Sequence, residues 1–235
     1  MNTVINQHVF RHRETSSAAL NNLCTIIHKL AEEGVYTGQV VQGKRLLGIF
    51  QLAYDRKHEP SQVNLDLSTF DALFGANVPN LPKTDKFTVG RDGYVVFHAS
   101  GHHGDLHVTL TRVQEKKAAP VFDSRKLGKG DMVAFRLWHP GAYVITNEPG
   151  GQTASLIVVS AEDGKYRDPT KLEPVRVTLS DKGFDRVRIE QGPLQALVIS
   201  IETNAALILK NADVRTDTPR SAKATPARGG KAKPA

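Results

Sequence analysis

The sequence predicts a mainly β protein: an antiparallel β-sandwich, preceded by a small α+β unit and followed by a basic tail. Three observations predict it. From Phe87 to Leu209 the apolar runs are short and alternate with polar residues, the period of a half-buried strand. Gly-, Pro- and Asp-containing turns separate them at close intervals, as in sandwiches rather than βαβ units. From Thr218 the chain reads TPRSAKATPARGGKAKPA, without one large apolar residue.

Near the start, Ser16 and Ser17 precede Leu20, Leu23, Cys24, Ile27, Leu30 and Ala31 at i, i+3, i+4 spacing, and Gly34 supplies a stop, so a helix is expected here. Cys24 and His28 would then be i, i+4 neighbours, a metal-compatible spacing, but with no further cysteine a packed thiol and a boundary imidazole are expected instead. After Gly34 the period changes to two. VYTGQVVQ, RLLGIFQLAY and QVNLDLS are expected strands, and STFDALFG a short helical turn capped by Ser68 or Thr69. The proline-bearing stretch ANVPNLPKTDK marks a boundary, giving an α+β unit over residues 1–83.

The sandwich region then spans residues 84–213, divisible into 84–161 and 173–213. Its expected strands are FTVG, GYVVFHAS, LHVTLTRV, DMVAFRLW, AYVITN, ASLIVVS, VRVTLS, RVRIEQG and ALVISIE. No fixed-period repeat is apparent.

Residues 98–107, HASGHHGDLH, hold four of the nine histidines. If GHHG is a hairpin turn, Val95 faces Leu110, Phe97 faces Val108 and Ala99 faces Leu106 on one apolar side. His98 then faces His107 on the other side, with Cβ atoms about 4.5–5.5 Å apart. With His102 or His103 as a third nitrogen, and Asp105 as an oxygen ligand or tautomer-fixing partner, this set suits zinc or copper(II). A solvated polar turn accounts for the same residues.

Residues 130–160 read GDMVAFRLWHPGAYVITNEPGGQTASLIVVS. The run PGAYVITNEPGG followed by LIVV resembles the closing strands of cupredoxin-like β-sandwiches, and VRVTLSDKGFDRVRIEQGPLQALVIS from Val175 resembles their opening strands. The resemblance implies a cupredoxin- or immunoglobulin-like sandwich, and the reversed order of the two stretches implies two incomplete or tandem ones. Where that family places its copper thiolate this chain has Thr146 or Asn147, and Gly151 stands for the following histidine. Electron transfer is therefore not implied. Trp138 and Tyr143, on either side of Pro140-Gly141, form an expected cross-strand aromatic step able to staple a hairpin or to bind a sugar, a base or another subunit.

A single cysteine excludes an intrachain disulfide framework. The opening MNTVINQHVFRHRE lacks an apolar signal region, and no run approaches the ~18 apolar residues of a membrane helix, so a cytoplasmic protein without membrane insertion is expected. Of the net charge of +7, Arg220, Lys223, Arg228, Lys231 and Lys233 place five charges in an acid-free tail. Such a segment cannot offset the entropy of ordering and is expected to be disordered, binding nucleic acid or another polyanion by counterion release. No Gly-x-Ser-x-Gly elbow, phosphate-cradling glycine loop or His-Glu-x-x-His helix occurs, so no catalytic residue is expected. The functional expectation is a non-enzymatic binding or assembly module with a polyanion-binding tail. The alternatives are a zinc or copper protein using the histidine hairpin, and a structural subunit of a larger, homo-oligomeric assembly.

Overall fold

The computed structural model describes residues 14–73, 85–100, 105–113, 119–160 and 171–212. Among these the structure is mainly β, with no α-helix, and no helix is long and apolar enough to cross a membrane. The expected N-terminal helix is replaced by strands β1 (Glu14–Ser16) and β2 (Cys24–Lys29). Thr25, Ile26 and Ile27 are β-branched, which suits a pleated surface better than a helix. The serines that resemble a helix cap have other uses: the Ser16 hydroxyl accepts the Ala18 N–H at 3.1 Å, closing a turn.

The remaining strands fall into two sets with one wiring. The first comprises β3 (Gly34–Gln42), β4 (Arg45–Tyr54), β5 (Gln62–Asp66), β6 (Asp85–Val89), β7 (Tyr94–His98) and β8 (Leu106–Arg112). The second comprises β10 (Met132–Arg136), β11 (Gly141–Asn147), β12 (Thr153–Val158), β13 (Val175–Ser180), β15 (Arg188–Gln191), β16 (Ala196–Ile201) and β17 (Leu207–Asn211), preceded by β9 (Ala119–Asp123). In the first, β3 pairs antiparallel with β4 and β8, β4 parallel with β6, and β7 parallel with β5 and antiparallel with β2. In the second, β11 pairs antiparallel with β12 and β17, β12 parallel with β15, and β16 parallel with β13 and antiparallel with β10. The chain is an internal duplication. The halves differ after β5 and β13, where a 3-10 helix (Leu67–Leu73) stands against the short strand β14 (Gly183–Phe184). The Asp66 carboxylate, rather than Ser68 or Thr69, starts that helix by accepting the Ser68 N–H at 3.0 Å.

Local chemistry repeats as well. Leu30-Ala-Glu-Glu-Gly34-Val-Tyr36 matches Leu137-Trp-His-Pro-Gly141-Ala-Tyr143. Each glycine has positive φ, +146° and +152°, a region side chains avoid. Each tyrosine is buried, and its hydroxyl donates to the backbone carbonyl four residues earlier, of Glu32 or His139.

The two repeats are interlocked. β2 and β10 pair antiparallel, with Ile26 opposite Val133 and Cys24 opposite Phe135, fusing the halves into one seven-stranded sheet, β14-β13-β16-β10-β2-β7-β5. The first strand of each repeat adds to the other's last: β9 pairs with β8, and β1 with β17. Two five-stranded sheets result, β1-β17-β11-β12-β15 and β6-β4-β3-β8-β9. Ser17 and Ser124 anchor the exchange: each is fully buried, and its hydroxyl accepts a strand N–H, of Leu207 at 2.9 Å and Val108 at 3.0 Å. Leu20 bridges Leu106 and Leu127 bridges Ala205 in the same equivalent way.

Instead of a sandwich preceded by a separate α+β unit, the chain forms repeats set side by side along a continuous sheet. Ladders β4·β6, β2·β7 and β5·β7 run across residue 83. One face of the long sheet, through Ile26, Phe97, Val133 and Ile199, is buried against the five-stranded sheets in a single core. Phe97 stacks on Phe122 of β9 with centroids 5.4 Å apart.

Two tests of this packing follow from buried polar groups. Removing the hydroxyl in Ser17→Ala or Ser124→Ala orphans a buried N–H, so each is expected to cost about 1–3 kcal/mol in denaturant titration, and a neutral result would deny the anchoring role. Gln191 is buried with neither amide atom hydrogen-bonded among the described residues, where the first repeat has Val89. Gln191→Leu keeps most of the volume and removes the orphaned amide, and is expected to stabilise by about 1 kcal/mol or more; destabilisation would show that the amide is satisfied.

Candidate functional site

The β2·β10 ladder lies on the axis that relates the repeats, so its two ends are equivalent in backbone and can be compared in side chains. At one end Cys24 faces Phe135, an apolar pair. At the other, the same register brings His28 opposite Asp131. His28 Nδ1 lies 2.6 Å from Asp131 Oδ1, with side-chain exposures of 13% and 7%. A carboxylate oxygen only accepts, so the bond places the hydrogen on Nδ1 and leaves Nε2 as the acceptor. Asp131 Oδ2 accepts the Gly128 N–H at 2.8 Å, and the Phe122 ring covers the imidazole at 4.3 Å between centroids. Both partners are thus held in place by groups that do not react.

His28 borders three adjoining recesses. One, of about 460 Å³, is lined by Lys29, Arg56, Arg91 and Lys129, against Asp92 and Asp131. A second, of about 300 Å³, is lined by Lys126 and Lys129 against Asp123 and Asp131. The third, of about 180 Å³, is bordered by Arg112, which is engaged by the Glu32 carboxylate and the Glu33 carbonyl. Lys126 and Lys129 have no carboxylate partner among the described residues. The equivalent end of the ladder opens on a recess of about 390 Å³ lined by Asn21, Asn22, Cys24, His98, Ser100 and Arg136. There Asn22 stands for Lys129, Ala19 for Lys126 and Cys24 for Asp131, and Arg136 is the one Lys or Arg lining that recess among the described residues.

The histidine hairpin is not formed. β7 pairs with β2 and β5, and β8 with β3 and β9, so the strands lie in different sheets. Val95, Phe97, Leu106, Val108 and Leu110 are buried in the core as expected, but on strands of two different sheets. His98 and His107 are therefore not cross-strand neighbours. His98 neighbours Asp66, to which Ser100 donates from both N–H and hydroxyl. His107 is buried near Asp123 and Arg125. His102 and His103 lie outside the described residues, and among the described residues no three His, Cys, Asp or Glu side chains gather.

Tyr143 is buried and bound to the His139 carbonyl, while Trp138 is largely exposed. They are not cross-strand neighbours, because β10 and β11 belong to different sheets. Asn147, which with Thr146 is the expected stand-in for a cupredoxin thiolate, ties its turn by donating to Gln152 Oε1 at 2.8 Å and accepting the Ala206 N–H at 3.1 Å. Arg220, Lys223, Arg228, Lys231 and Lys233 lie outside the described residues. Cys24 and His28, four residues apart on one strand, are about 13 Å apart and cannot share an ion. Sequence reasoning singled out His28 with the wrong partner and passed over Asp131, whose only local signal is its place before the strand MVAFR. No protein-family model, curated protein or solved structure matches the chain.

Burial pushes the Cys24 thiol well up, so it is expected to resist thiol reagents in the native protein and react once the chain unfolds; fast native labelling would contradict its packing. Burial, with the Arg125 charge, holds His107 below the ordinary imidazole value against the pull of Asp123. The folded state then favours neutral His107, so stability present above about pH 6.5 is lost as the pH falls and the unfolded chain takes up the proton. His107→Ala, the residue at the equivalent position 206, is expected to flatten the slope of unfolding free energy against pH in that range.

Proposed function

We propose that this protein is a non-enzymatic binding module for an anionic partner, nucleic acid or another polyanion, engaged by the body around His28 and by the C-terminal tail. The observation that carries this reading is the set of Lys29, Arg56, Arg91, Lys126 and Lys129 around recesses at the repeat junction, placed among Asp92, Asp123 and Asp131, with two of the lysines lacking a carboxylate partner among the described residues. Such cations gain from displacing counterions around a polyanion. The five tail cations extend the same chemistry along a segment whose composition suits loose, salt-sensitive contact. Interlocking supports a binding role by holding the basic recesses rigidly.

The test is fluorescence anisotropy of a labelled oligonucleotide across a salt series. The full chain is expected to bind tightly at low salt, with log affinity falling by about 0.9 per phosphate contact for each tenfold rise in salt. Deleting residues 214–235 is expected to reduce the slope, and Lys126→Glu with Lys129→Glu to weaken what remains. Absence of low-salt binding, or binding indifferent to both changes, would overturn the reading.

A further inference from the structure

The geometry points to a phosphate monoester as the group received at His28: a terminal phosphate, held by His28 Nε2 and the surrounding cations. This rests on the anion-binding reading and goes beyond it by assigning a discrete site and ligand class. The internal duplication supplies the comparison. Each end of the β2·β10 ladder offers the same backbone, yet one carries the apolar Cys24·Phe135 pair and the other the ordered His28·Asp131 pair with lysines at 126 and 129. Packing and the Gly128 bond account for Asp131, so what this end adds to the apolar one is an imidazole and two lysines beside the recesses.

The ligand class follows from the donor set. With Nδ1–H committed to Asp131, neutral His28 presents an acceptor at Nε2, whereas Lys29, Arg56, Arg91 and Lys129 in the largest adjoining recess present donors and positive charge that outnumber Asp92 and Asp131. A carboxylate would meet the lone pair of that nitrogen with its own. A phosphate monoester satisfies both: as the monoanion its P–OH donates to Nε2 while its other oxygens accept from Lys29, Lys129, Arg56 or Arg91. A monoester also carries about −1.5 to −2 charge at neutral pH, against one for a backbone diester. The low exposure of His28, 13%, favours a projecting terminal group over the side of a duplex.

The source of the monoester is a phosphorylated nucleic-acid end or a free phosphate compound, and the experiment separates them. Inorganic phosphate is titrated into the full chain while the His28 ring resonances are followed by NMR. In parallel, one short oligonucleotide is compared with and without a 5′-phosphate at fixed salt. The control is His28→Phe with Asp131→Cys, which installs the pair that the other end already accommodates and so preserves packing. A saturable His28 shift in the native chain, and at least tenfold tighter binding of the phosphorylated end that is lost in the double variant, are expected. A saturable shift without oligonucleotide binding supports the site with a small phosphate compound and removes the polyanion reading. Oligonucleotide binding indifferent to the 5′-phosphate, with no saturable shift, overturns the monoester site and leaves the polyanion reading standing.

Discussion

The antiparallel contact between β2 and β10 is the interaction on which the rest of the structure depends. Neither strand is an edge: each completes its own repeat on one side and joins the other repeat on the second side. Exchange of the first strands reinforces the contact from the opposite layer, because β1 closes the sheet of the second repeat and β9 that of the first. Pulling the halves apart would expose two strand edges and the bonds at Ser17 and Ser124 together. Buried unpaired backbone is costly, so the halves are committed to one another.

That arrangement also explains where chemistry can settle. A ladder on a two-fold axis has equivalent ends, and sheet formation demands only that each end be packed. Cys24 and Phe135 meet that demand with apolar contact. His28 and Asp131 meet it with a hydrogen bond that needs Gly128 and Phe122 to hold it, a more exacting solution that leaves one nitrogen beside a basic recess. Duplication thus provides one copy for stability and frees the other to diverge.

Strand content was legible in the sequence because alternation reports which side of a segment is buried. It does not report which strand lies beside it. Hence the faces of β7 and β8 were read correctly while their pairing was not: opposite apolar faces satisfy a hairpin and a crossing between two sheets equally well. The N-terminal stretch was misread for a related reason, since Leu20, Leu23, Cys24, Ile27 and Leu30 fit a helical stripe even though two turns and a strand bury most of them. The duplication escaped notice because its spacing drifts, from 107 residues between Ile26 and Val133 to 112 between Val63 and Val175 and 99 between Leu110 and Leu209. Asp131 was invisible for want of its partner, which tertiary pairing alone supplies.

The most direct test of the interlocked duplication is native-state hydrogen exchange, read at amides of both repeats across a denaturant series. The structure predicts that the most protected amides of β2, β7, β10 and β16 open together, with one free energy equal to that of global unfolding. Two separate families, with β10–β17 remaining protected after β2–β8 have opened, would show that the repeats fold independently and would contradict the account.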